Sequence, residues 1–130
     1  MNNLFLTGLE FNIRFFGIEF YKLTNKFELH NNFKFKTGIN IDFKFFDTVD
    51  YKCGIYFTDV ENTYKWIYYG FNLMKNIRKV TIPYNAIVYV NENIYKTSKL
   101  KLILSEAFPL KTYLNNFEIF LKAISYNPIT

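Results

Sequence analysis

The sequence predicts a mixed α+β domain built on a mostly antiparallel sheet, with one short helix at about residues 60–69 and a C-terminal amphipathic helix at about 110–125. Three observations carry that expectation. Short runs of alternating apolar and polar residues recur along the chain, the pattern of half-buried strands. Two stretches break into helical spacing. The elements run as strands, one short helix after Asp59, strands again, then a terminal helix.

In chain order, Leu9, Phe11, Ile13 and Phe15 alternate with Glu10, Asn12 and Arg14, which predicts a strand. The pattern slips at Phe16, Ile18 and Phe20 beside Gly17, which predicts a bulge or a break between two strands. Thr24-Asn25-Lys26 reads as a turn. From Phe33 to Phe45 the apolar residues hold the odd positions (Phe33, Phe35, Ile39, Ile41, Phe43, Phe45) and Lys or polar residues the even ones. Gly38 divides that run into two short strands or one kinked strand.

The densest local signal lies between Cys53 and Gly70. Ile55-Tyr56-Phe57 forms a strand, and Asp59 is placed to cap a helix by accepting the free amides of its first turn. Val60, Tyr64, Ile67 and Tyr68 then share one helical face, and Gly70 stands at the stop. Val80 and Ile82 point inward from the next strand, with Arg78, Lys79 and Thr81 flanking. Ala86–Val90 is almost wholly apolar and is expected to be central in the sheet. Leu100–Leu104 adds another strand. Pro109 suits the first turn of the last helix, whose apolar stripe is Leu110, Tyr113, Leu114, Phe117, Leu121 and Ile124.

A length of 130 residues fits one domain, 1–130, able to bury a core without staples. Half the residues are hydrophobic, which excludes a disordered chain. No apolar run approaches the ~18–20 residues that span a bilayer. The first residues lack a basic leader. A single Cys leaves no partner for an intrachain disulfide, so the expected setting is intracellular.

The net charge of +5 raises the question of nucleic acid. The cations are dispersed among acids, however, and Asn, Lys, Ile, Phe and Tyr are all abundant, as A/T-rich codons produce. In the Lys/Phe alternation the rings and the charges take opposite faces, so core and solvent account for it better than a single-strand binder does.

Several blocks together resemble an uncharacterised domain of giant DNA viruses of the mimivirus type, often found in front of ankyrin repeats. They are Phe33–Asp42, Gly54–Asp59, Trp66–Gly70, Arg78–Pro83, Val88–Val90 and Lys99–Leu104, in order over roughly residues 28–105. The resemblance implies a viral origin and the host cell cytoplasm or the virion as location. It implies no reaction. Where that pattern has two glycines before the Tyr-Phe-Thr-Asp block, the first is Cys53 here, and no ankyrin consensus follows the last helix.

Two functional expectations follow. The first is a non-enzymatic protein-interaction or self-assembly module using Tyr64, Trp66, Tyr68 and Tyr69, since Tyr and Trp are favoured interface anchors. The second comes from Gly54-Ile55-Tyr56-Phe57, which looks like the Gly-Xaa-Tyr-Phe strand of ADP-ribosyltransferases. That likeness implies NAD, with Tyr56 stacking on nicotinamide, His30 on the ribose, and Glu92 or Glu106 as the carboxylate. Neither a metal site nor a phosphate loop is indicated: one His and one Cys cannot fill a zinc shell, and the five glycines are dispersed.

Overall fold

The computed structural model describes residues 3–30, 33–42, 54–66, 74–92, 94–102 and 108–109, apart from the side chains of Asn3, His30, Tyr64, Phe108 and Pro109. The C-terminal helix expected at 110–125, the Gly70 stop, Cys53, and the Phe43–Phe45 end of the long alternation lie outside the described residues.

Strand β1 (Asn3–Thr7) runs directly into helix α1 (Gly8–Arg14). This corrects the strand expected from Leu9 to Phe15. The alternation there competes with a helical reading, because Phe11 and Phe15 are also four residues apart. What decides is the start: Thr7 and Glu10 form a capping box. The Thr7 hydroxyl accepts from the Glu10 amide at 3.1 Å, and the Glu10 carboxylate accepts from the Thr7 amide at 2.8 Å. Leu9 and Ile13, assigned to a buried strand face by the alternation, are 55% and 70% exposed. Phe11 alone is driven fully into the core.

The chain turns at Gly17 (φ 88°) into β2 (Phe20–Thr24), so the glycine marks the break between elements. After the turn come β3 (Leu29–His30) and β4 (Phe33–Lys34), a small hairpin of their own, then β5 (Gly38–Ile41). Gly38 (φ 99°) therefore separates two short strands, as one of the two expected forms had it. Across it the inward parity changes. Phe35 is buried, but beyond Gly38 the buried residue is Asn40 while Ile39 is exposed. Asn40 is tolerated because its amide bonds the Lys36 N–H and C=O and the Gly38 C=O.

Strand β6 (Ile55–Asp59) leads into a 3-10 helix, Val60–Trp66. Asp59 caps it as expected, accepting from the Asn62 amide at 2.9 Å. Then follow β7 (Asn76–Thr81), β8 (Ile87–Asn91), β9 (Ile94–Thr97), β10 (Lys99–Leu102) and β11 (Phe108–Pro109). Strand β9 was not anticipated. Pro109 belongs to β11, opposite Asn76, rather than to a helical first turn; a proline fits such a short outer strand, where no ladder donor is needed.

The described strand pairings are all antiparallel, in the order β1-β8-β9-β6-β2-β7-β10-β5, with β11 also on β7. The sheet so dominates that the mostly antiparallel expectation stands, with α1 and the 3-10 helix as its described helices. Ala86–Val90 is confirmed as interior, since β8 is paired on both sides, by β1 and β9.

Helix α1 seals one region of the sheet through a cluster of rings. Phe11 lies 5.0 Å from Phe20, 5.7 Å from Phe57 and 6.1 Å from Tyr95 between ring centres. The contacts with Phe57 and Tyr95 are edge-on, and such pairs add about 0.5–1.5 kcal/mol each beyond simple burial. The helix can sit so close because its first residue is glycine. The Gly8 amide donates to the Ala86 carbonyl at 2.7 Å, and a Cβ on Gly8 would come within 1.8 Å of the Pro83 carbonyl oxygen.

Candidate functional site: a lysine in an aromatic cleft

Strand β2 meets β6 only at Phe20–Asp59 and Tyr21–Thr58 among the described residues. Beyond that point β2 follows β7 as far as Thr24–Asn76, while β6 follows β9 to Ile55–Thr97. The two strands part and leave a narrow cleft between them, open to solvent, with about 30 Å³ of free space. Tyr21–Asn25 form one wall and Tyr56–Thr58 the other, with Leu29, Phe35, Trp66 and Met74 completing the lining.

The aromatic wall is organised by the Asp59 cap. Turning the chain into the 3-10 helix at Val60 brings Trp66 back over the strand, where its ring lies 5.4 Å from that of Tyr56. Asp59 is itself fixed by a second bond: the Tyr95 hydroxyl donates to its other carboxylate oxygen at 2.9 Å. Burial first, then that bond and the carboxylate charge, hold the Tyr95 phenol above the ordinary tyrosine range. The Nζ of the buried Lys96 lies 5.6 Å from the Tyr56 ring centre, a cation-π distance.

The chemistry of the cleft is set by Lys22, which is only 9% exposed. Its Nζ stands 4.9 Å from the centre of the Phe35 ring. Among the described residues it has no carboxylate partner and no side-chain hydrogen bond. Burial alone pushes the amine down to about 7, from the usual lysine value of 10.5. A weakly paired cation in an apolar wall costs free energy, and groups of this kind concentrate at functional sites.

Its neighbour shows the contrast. Arg78, directly opposite Lys22 in the β2–β7 register, is equally buried but donates to Glu28 at 2.8 Å and to the Thr37 hydroxyl. Glu28 also accepts from Thr24 at 2.8 Å and holds a left-handed backbone (φ 53°) that only a tight turn requires. Arg78 was expected to flank its strand; burial by ion pairing corrects that.

The residues expected to act together are only partly assembled. Tyr56 lines the cleft, and so does Leu29, the chain neighbour of His30, whose side chain lies outside the described residues. Glu92 is exposed at the tip of the β8–β9 hairpin with φ 55°, a turn position rather than a cleft wall. Glu106, Tyr68, Tyr69 and the Tyr64 side chain lie outside the described residues. Trp66 is half-buried on the cleft wall. No group of three or more His, Cys, Asp or Glu placed to hold a metal occurs among the described residues. No described helix is long and apolar enough to cross a membrane.

Lys22 was missed from sequence, although a signal was there. It lies two residues after the buried Phe20 and two before the buried Thr24, so strand parity alone turns it inward. Compared with known proteins, the chain matches no family model, no curated protein and no solved structure.

Proposed function

We propose that this domain is a non-enzymatic interaction module that receives an acidic segment of a protein partner in the β2–β6 cleft. One observation carries the reading: Lys22 has no counter-ion among the described residues, and it lines the cleft, where a carboxylate would restore its charge and its pairing. Tyr56 and Trp66 supply a rigid amphipathic wall for the flanking residues of that segment. The net charge of +5 favours encounter with an acidic partner.

The test is calorimetric titration with an acetylated, amidated hexaglutamate peptide. Saturable binding that is lost in Lys22→Met and kept in Lys101→Met supports the reading. Binding that is indifferent to Lys22 is diffuse attraction to a basic surface and opposes it. Self-association is the competing form of the same reading, and light scattering over a concentration series separates the two.

A second reading, an NAD-using transferase, is favoured by one observation: Tyr56 shares its cleft with Leu29, next to His30. The position of Glu92 on an exposed turn weighs against it. Calorimetry with NAD decides, and the absence of any binding heat disposes of it.

A further inference from the structure

We infer that Lys22 is a covalent docking site for aromatic aldehydes or ketones, which it captures as a reversible imine. Four features of the cleft support this. Lys22 is only 9% exposed yet lines a cleft that opens to solvent. No carboxylate among the described residues occupies it. Phe35, Tyr56 and Trp66 line the same cleft as Lys22, whose Nζ lies 4.9 Å from the Phe35 ring centre, so an aromatic carbonyl compound entering at the mouth meets rings beside the amine. Arg78, opposite in the strand register, holds Glu28 at 2.8 Å, so that nearby carboxylate is engaged elsewhere. The lowered basicity of the amine agrees with this geometry, because only the neutral form carries the lone pair that attacks.

The step balances without an oxidant or reductant. The Lys22 Nζ lone pair forms a bond to the carbonyl carbon, and the displaced π electrons take up a proton on oxygen. The proton on oxygen comes from the attacking nitrogen, giving the carbinolamine. Its hydroxyl takes a second proton from solvent and leaves as water as the nitrogen lone pair closes the C=N bond, and the iminium returns a proton to solvent.

This inference shares the cleft with the interaction reading but not its partner. Aldehyde capture and acidic-peptide binding are read in separate assays, so either can fail alone. The test uses the unmodified full chain with 2-hydroxybenzaldehyde as probe, at neutral pH, trapped by cyanoborohydride and mapped by peptide mass spectrometry. Trapping at Lys22 should exceed that at each exposed lysine by about tenfold or more, because an ordinary lysine is almost wholly protonated at that pH. It should also vanish from that position in Lys22→Arg while Lys34 and Lys101 label as before. The wild-type map alone decides if the variant does not fold. Labelling spread over the surface lysines, with Lys22 no higher than the rest, overturns the inference.

Discussion

Lys22 and Arg78 are opposite each other in the β2–β7 register, yet among the described residues only Arg78 has a carboxylate partner, Glu28 at 2.8 Å. One strand register thus places two buried cations side by side and, among the described residues, pairs one of them with a carboxylate. The unequal treatment makes the β2–β6 cleft chemically distinct from the rest of the interior.

The first consequence is a pH-dependent stability. A lysine whose folded value is about 7 binds fewer protons when folded than when unfolded between about 7 and 10.5. Stability therefore rises with pH through that window, and the full burial penalty applies below it. The span corresponds to roughly 5 kcal/mol in order of magnitude. Tyr95 works in the opposite sense at the upper end: its raised phenol loses stability once the pH passes the unfolded tyrosine value. Thermal melts from pH 6 to about 9.5 should show a rising midpoint in the wild type, and Lys22→Met should flatten it. An identical slope in both proteins contradicts the assignment.

Breaking the satisfied partner should cost more than its surface equivalent. Arg78→Met leaves the largely covered Glu28, its side chain 15% exposed, without its cation and should lower stability by about 3 kcal/mol. The exposed Lys79–Glu19 pair offers the comparison, at 3.3 Å. Lys79→Met should change stability by about 1 kcal/mol or less in urea unfolding.

Gly8→Ala should rank among the most damaging single substitutions. Its new Cβ meets the Pro83 carbonyl, which is backbone and has no rotamer to yield. The junction of β1 and α1 must open, at a cost of about 2–4 kcal/mol by denaturant titration. A loss of only a few tenths would mean that the helix can slide off the sheet freely.

The strands β6, β7, β8 and β10 were legible because alternation and apolar runs coincide with burial there, and Asp59 was legible as a cap because its chemistry is local. The sequence pattern failed where two periodicities shared residues. Phe11 and Phe15 satisfy both a strand and a helix, and only the Thr7–Glu10 box separates the two. It failed again where polar residues point inward. Lys22, Asn40, Arg78 and Lys96 are all buried, each held by a partner or a ring that is distant in sequence or invisible to hydropathy. The cleft itself arises from the parting of β2 and β6, a property of sheet topology that no single segment encodes.

Trp66 is the only tryptophan in the chain and lines the cleft, so its fluorescence reports on that site directly. The most direct measurement is a fluorescence titration with the hexaglutamate peptide at about pH 7.5, run in buffers of differing ionisation heat alongside calorimetry. The interaction account predicts a saturable change in Trp66 emission, with net proton uptake as Lys22 regains its charge, and the loss of both in Lys22→Met. An unchanged Trp66 spectrum, or binding without proton uptake that persists in Lys22→Met, would contradict it.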